Sequence, residues 1–523
     1  MRRTTLLPLL AATALGALTA CSDSNLAGIN AEDRADTGWN GAAEDNDSQG
    51  NWDTGDGFGS ETEDDFTKLE PAPTDAYVFV VNAARNTVSR ISVPQLQVIT
   101  ADVGVNPTAV ETTSDYTKAV VFNEGSDSVS IIDAETLDVT EVPVRDNFNT
   151  MQMSNDGRWV ICFHNNSSEE GQTSEGGLQS FNEISLVDTE TATHFPMAVG
   201  FNPRTVRYTP DSNRALVVSD EYVALIDLTA EIPTPSMVQI AEDLLDPPPA
   251  EEILVEPSGA YAFVRQFGED QLVVLDLEHE VVDRIDVGFN PTDIDLSPDG
   301  TQATVVSRGS KQLYVIDAQD PFVEPAVLDL PVDEVLGSLV YSPDGTKAVL
   351  YTTAAKVAHY TTWDVATGEL TVRNLVKPVR SVAISPTGGT LLVFHSLEDA
   401  EDASTSSPFY GEHALTMIDL DDFRPNALLL PDEVLAFNNS TDGRYGFFIM
   451  EDAPYLEVLS YDTLLYDEVR LKSNPVHVGV LPETTYAYVN QEHDLGRLTF
   501  FDPDTGVLKT ITGFELNDEI QRD

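Results

Sequence analysis

Short apolar runs alternate with turn residues along most of the chain. Residues 285–317, IDVGFNPTDIDLSPDGTQATVVSRGSKQLYVID, show the pattern most plainly. A turn at 288–291 leads into a short strand at 292–296. A second turn, Ser297-Pro298-Asp299-Gly300, follows, in which proline presets φ and glycine is free to take a positive φ. A β-rich strand at 303–307, a turn at Gly309-Ser310 and a strand at 313–316 come next, ending at Asp317. A fourth strand is predicted over 326–330. Four short antiparallel strands in about 40 residues make one blade of a β-propeller.

The pattern repeats from Ala76 onward. The third strand of each unit ends in an apolar run followed by Asp133, Asp188, Asp227, Asp276, Asp317, Asp364, Asp419, Asp462 or Asp502, with Ser92 in the first unit. Their spacing of 39 to 55 residues fits a four-stranded blade. Each aspartate precedes a turn, where its carboxylate can accept backbone N–H bonds, so these residues read as turn formers. The fold predicted for 76–515 is all-β: a propeller of four-stranded antiparallel blades, eight to ten in one ring. Two smaller rings, or a ring with one irregular unit outside it, are the alternatives. The first unit lacks an opening strand, which residues before Ala76 or after Phe514 are expected to supply, leaving no open edge. Residues 516–523 form a tail.

The amino terminus breaks the pattern. Residues 1–20 carry Arg2 and Arg3, an apolar centre and small residues before Cys21, the layout of a secretory signal. The apolar stretch is too short for an ordinary spanning helix. Residues 22–75 contain 15 acidic residues and two basic ones. Such a segment buries too little apolar surface to offset its ordering entropy, so 21–75 is predicted to be a disordered linker. Within it Asp45, Asp47, Gln49, Gly50 and Asp56 fall near EF-hand spacing, but Gln49 and Asp56 stand where ligating carboxylates differ. No cofactor is expected; calcium at this loop is the one candidate.

Composition narrows the partners. There are 28 basic and 88 acidic residues, a net charge of −60. That argues against nucleic acid and against anionic lipid headgroups. With two cysteines there is no disulfide framework, and Cys162, in an apolar run, reads as a small buried hydrophobe.

Two resemblances add to this. Leu18-Thr19-Ala20-Cys21 resembles the bacterial lipoprotein lipobox. The resemblance implies acyl chains on Cys21, a membrane partner through that anchor and, with Ser22 following, delivery to the outer membrane. Tyr77-Val78-Phe79-Val80-Val81-Asn82, Val129-Ser130-Ile131-Ile132-Asp133 and Val287-Gly288-Phe289-Asn290-Pro291 resemble the YVTN-type propeller repeats of bacterial and archaeal surface proteins. This resemblance covers 76–515 and implies fold and address; propellers host many unrelated roles.

Candidate sites lie where copies break the pattern. Insertions at 165–179 and 396–412 fall between second and third strands, and a third long loop, 242–252, joins two blades. All three are expected on one face, and loops on a rigid scaffold are where binding resides. Phe409-Tyr410 is the aromatic pair within the insertions, a candidate contact anchor. His164 and His395 occupy matching positions before the two insertions. Asp293, Arg380 and His477, two residues beyond Pro291, Pro378 and Pro475, are expected on the rim of the central channel. No GxSxG, P-loop, dinucleotide or haem-attachment motif is present. The expectation is a non-catalytic envelope lipoprotein that binds a protein, glycan or envelope component. The alternative is a propeller enzyme, lactonase-like or acting on a sugar derivative, working in the channel.

Overall fold

The computed structural model describes residues 72–513 except 75, 84, 94, 166–181, 452, 483 and 494, together with 521–522. The signal, the lipobox with Cys21, the EF-hand-like spacing and nearly all of the 165–179 insertion lie outside the described residues. The described strands assort into ten antiparallel sheets of consecutive strands in chain order, nine with four strands and the last with a fifth. Numbered as blades 1 to 10, these are residues 72–102, 107–143, 150–198, 205–239, 250–286, 291–329, 338–374, 379–430, 434–470 and 475–512. First strands of neighbouring blades touch, whereas fourth strands such as Val281–Asp286 are half exposed. The first strands therefore face the axis and the fourth strands form the outer rim.

The apolar cores lie between blades. Trp159, Phe163 and Leu186 of blade 3 pack on Val206, Ala215 and Ile226 of blade 4. Every successive pair shares such a cluster. The last one joins Val78, Val80, Ile91 and Leu96 of blade 1 to Leu481, Tyr488, Leu498 and Phe500 of blade 10. Ten blades thus close one ring. The opening strand of blade 1 comes from before Ala76: Ala72–Pro73 pairs with Val78 and Phe79. Gln521–Arg522 pairs beyond the fourth strand of blade 10. Among the described residues no strand crosses from blade 10 to blade 1, and the apolar cluster joins the two across the seam.

The turns form as their residues dictate. Ser297 Oγ donates to Asp299 Oδ1 at 2.7 Å, Gln302 N–H donates to Ser297 Oγ at 3.0 Å, and Gly300 has φ 66°. Asp317 Oδ1 accepts the N–H groups of Gln319 and Asp320 at 3.0 and 3.1 Å. Asp133 and Asp276 do the same for their own turns. Asp462 is the exception. The third strand of blade 9 ends at Ser460, which pairs with Leu465 as Asp276 pairs with Val281. Sheet register makes Ser460 the equivalent residue and leaves Asp462 inside the turn.

One layer of the ring is polar. The residue ending each second strand's apolar run is Asn82, Asn123, His164, Ser219, Gln266, Ser307, Thr352, His395, Met450 and Gln491 in blades 1 to 10, and all are buried. In blade 2, Asn123 Nδ2 donates to the third-strand Ser130 hydroxyl at 2.9 Å. In blade 10, Gln491 Nε2 donates to Thr499 Oγ1 at 2.5 Å. Blade 9 breaks the rule: Met450 has no donor to offer, and the hydroxyl position holds Glu457, 1% exposed, with its Oε2 unpartnered. Burial, aided by Glu468, pushes the Glu457 carboxyl up to about 8. A carboxyl whose folded pKa is raised is penalised once the unfolded chain ionises. The penalty therefore begins as pH rises above about 4.5, grows until about pH 8 and is constant beyond. Glu457→Thr is expected to stabilise the protein by about 2–4 kcal/mol at pH 8.5, a gain that shrinks steadily toward pH 4. Denaturant titrations across that range check this; a pH-independent gain would refute the buried-carboxylate account.

Candidate functional site: the loop-bearing face

Antiparallel order within each blade places first-to-second and third-to-fourth turns on one face. Second-to-third loops and blade-to-blade connections emerge on the other. The loops at 242–252 and 396–412 therefore share a face, and Phe163 and Glu183, which flank the 165–179 insertion, end and begin their strands there.

Loop 396–412 is fastened down. Lys377, in the connection before blade 8, has a side chain 1% exposed. Its ammonium donates to the Leu397 carbonyl at 2.8 Å, Asp399 Oδ1 at 2.9 Å and the Phe409 carbonyl at 3.2 Å. Asp399 Oδ2 in turn accepts from Gly411 N–H at 2.9 Å. Both ends of the loop thus converge on one buried cation. Phe409 is half-buried and contributes its carbonyl, whereas Tyr410 is exposed. Loop 242–252 is held at both ends too: Arg284 Nη2 donates to the Ile240 carbonyl and Nε pairs with Glu242 at 3.3 Å. Ala250 N–H donates to Asp220 Oδ1 at 3.1 Å, and Asp220 is gripped by Arg204 at 2.5 Å.

The polar layer lies directly under these connections and ties them to the blades. His164 Nδ1 is 3.0 Å from the Asn147 carbonyl, Gln266 Nε2 donates to the Pro248 carbonyl at 3.3 Å, and Gln491 Oε1 accepts from Lys472 N–H at 3.1 Å. His395 Nδ1 is 3.2 Å from the Pro378 carbonyl and Nε2 is 2.6 Å from Thr416 Oγ1. Burial lowers the His395 pKa to about 4, so the ring is neutral. A carbonyl only accepts, so Nδ1 carries the proton and Nε2 accepts from the threonine. His164 and His395 thus belong to one series, which holds loops in place. The remaining members were missed in the sequence, although each stands at the end of an apolar run.

The residues expected on the channel rim are not brought together. Asp293 is 5% exposed and its Oδ2 accepts the N–H of Leu339, in the next blade, at 2.6 Å. Glu252 caps Ile294 N–H in the same way at 3.2 Å. His477 is also buried, its ring stacked 5.9 Å from that of Tyr488. Arg380 is partly exposed, but pairs with Glu433 at 2.6 Å and donates to the Val434 carbonyl at 3.2 Å. The cause of the misplacement is a bulge. Pro291 pairs with Ser307 and Asp293 with Val306, leaving Thr292 as the extra residue. The same shift leaves Arg380 as the extra residue in blade 8. Around the bulge Thr292 donates to the Gly337 carbonyl at 2.6 Å, so it and Asp293 both reach toward the next blade. Asp293 and His477 consequently point between blades.

A cleft between blades 8 and 9, lined by Arg380, Phe394, His413 and Asp432, has a volume of about 10 Å³, room for one water at most. Among the described residues no group of three or more His, Cys, Asp or Glu side chains is arranged to hold a metal ion. Cys162 is fully buried and its thiol pKa is pushed up by desolvation, the opposite of an activated nucleophile.

No protein-family model matches the chain, and no curated protein matches it. Solved structures similar to it include dihydro-heme d1 dehydrogenase NirN in complex with DHE, at 14% identity over 76% of this chain and 73% of that one, TM-score 0.45. A eukaryotic initiation factor is similar at 12% identity over 77% of this chain and 96% of that one, TM-score 0.49. The Myceliophteria thermophila Cps50 (Swd1) β-propeller domain is similar at 13% identity over 62% of this chain and 97% of that one, TM-score 0.33.

Proposed function

We propose that this protein is a surface propeller of the YVTN type, tethered to a bacterial envelope by acyl chains on Cys21 and the acidic segment 21–75. On this reading it binds a protein, glycan or envelope component on its loop-bearing face and carries out no chemistry. The observation that carries the reading is the Lys377-pinned loop 396–412. It holds Tyr410 outward on a base locked by the polar layer, and binding groups act best when their supports are rigid. A rigid ring that carries long loops on one face is suited to a scaffold role.

Two experiments test it. A photo-crosslinking residue at Tyr410 should give envelope adducts on intact cells, and one at Phe322, on the opposite face, should not; equal adducts from both would sink the face assignment. Labelled fatty acid should enter the wild-type protein and not Cys21→Ala; incorporation into both would refute the anchor.

A further inference from the structure

The exposed apolar side chains are unevenly shared between the two faces. Among the described residues eight large ones stand on the connections and loops of the loop-bearing face, against three, Ile232, Phe322 and Val323, on the turns of the other. Six of the eight trace the surface: Val105, Phe201, Leu245, Phe289, Val332 and Tyr410. They lie on the connections between blades 1–2, 3–4, 4–5, 5–6 and 6–7 and on the loop of blade 8, an arc around most of the ring. Their exposure is high: Leu245 is 95%, Val332 77% and Phe201 58% exposed. Val105, Phe201 and Phe289 hold one repeat position, the residue before the asparagine of a Val-Gly-x-Asn-Pro turn. That asparagine adopts φ of 51° to 54° at Asn106, Asn202 and Asn290, and the turn presents the preceding side chain outward. This uneven distribution singles out the loop-bearing face as the side on which apolar groups are offered to solvent.

Charge decides what fits there. Several cations of this face are already engaged: Lys356, Lys377, Arg204, Arg284, Arg380 and Arg145 each pair with a carboxylate, and Lys311 donates to the Val332 carbonyl. Exposed carboxylates remain in excess, Asp243 and Asp246 beside Leu245, Asp333 beside Val332, and Glu401, Asp402 and Glu412 around Tyr410. A second copy of this chain would bring like charge against like charge. We infer that the loop-bearing face docks a cationic polypeptide segment whose lysines or arginines alternate with apolar side chains. The apolar groups cover the arc, and the cations meet the carboxylates between its members. This inference rests on the face assignment above and adds the chemical class of the partner.

The test uses the full-length protein and three fluorescent 18-residue probe peptides: alternating Lys-Leu, all-Lys and alternating Glu-Leu. The Lys-Leu peptide is expected to bind at least tenfold more tightly than all-Lys, and Glu-Leu not to bind. The variant F201S/L245S/F289S should lose that tenfold preference. The opposite-face variant I232S/F322S/V323S should keep it. Equal binding of Lys-Leu and all-Lys, binding of Glu-Leu, or loss of preference in the opposite-face variant would each overturn the proposal. Circular dichroism of both triple variants, all at exposed positions, verifies that the ring is intact. If Tyr410 crosslinks envelope partners on cells while the peptide preference is missing, the face assignment stands and the partner class falls.

Discussion

Leu498→Ala is expected to open the ring, whereas Leu313→Ala is not. The two leucines hold the same place in the third strands of blades 10 and 6, and both are fully buried. Truncating either leaves a cavity and costs about 2–5 kcal/mol. The difference lies in what else joins the blades. Leu313 packs in the cluster between blades 6 and 7, which remain connected through the chain at 330–337. Leu498 packs in the cluster between blades 10 and 1, which no strand or short connection joins among the described residues. Weakening that cluster lets the ends part. The checks are denaturant unfolding and small-angle scattering. Leu498→Ala should enlarge the radius of gyration before global unfolding, and Leu313→Ala should unfold in one step at the native radius. Identical radii throughout would show that the seam has no special role.

Lys377→Met should free loop 396–412. The substitution keeps most of the volume but removes the charge that satisfies two carbonyls and Asp399. Breaking one partner of a buried pair costs about 3–5 kcal/mol. Part of that cost can be relieved by the loop lifting into water, so the signature is local. Amide exchange across 396–412 should rise by orders of magnitude while blades 2 to 5 keep their protection. A loop as protected as in the wild type would mean that Lys377 does not pin it.

The blade repeat was legible because it rests on local chemistry. Alternation, SPDG-type turns and strand-ending aspartates each declare themselves within a few residues, as at 297–300 and Asp317. What escaped depends on register or on shared chemistry without shared identity. The bulge at Thr292 is not marked in the sequence, so Asp293 seemed to face the channel when it caps Leu339. The polar layer uses Asn, His, Ser, Gln and Thr interchangeably, so only its two histidines stood out. Lys377 carries no mark in the sequence; its burial comes from the loop that folds back over it. The Val-Gly-x-Asn-Pro turn was visible as a repeat element at 287–291, but not that its middle residue and those at 105 and 201 are all exposed.

The seam has a further consequence, for the order in which the molecule is made. Nine of the ten interfaces join neighbours in sequence, so each new blade can settle on its predecessor as it emerges. Blade 1 must instead wait, with Val78, Val80 and Ile91 uncovered, until Leu498 and Phe500 have been synthesised and brought round. Closing so long a segment is the costliest loop closure in the chain. Until that moment the growing protein is an open crescent with an apolar end, and a blade-1 partner acting then would meet a surface that the finished ring never shows.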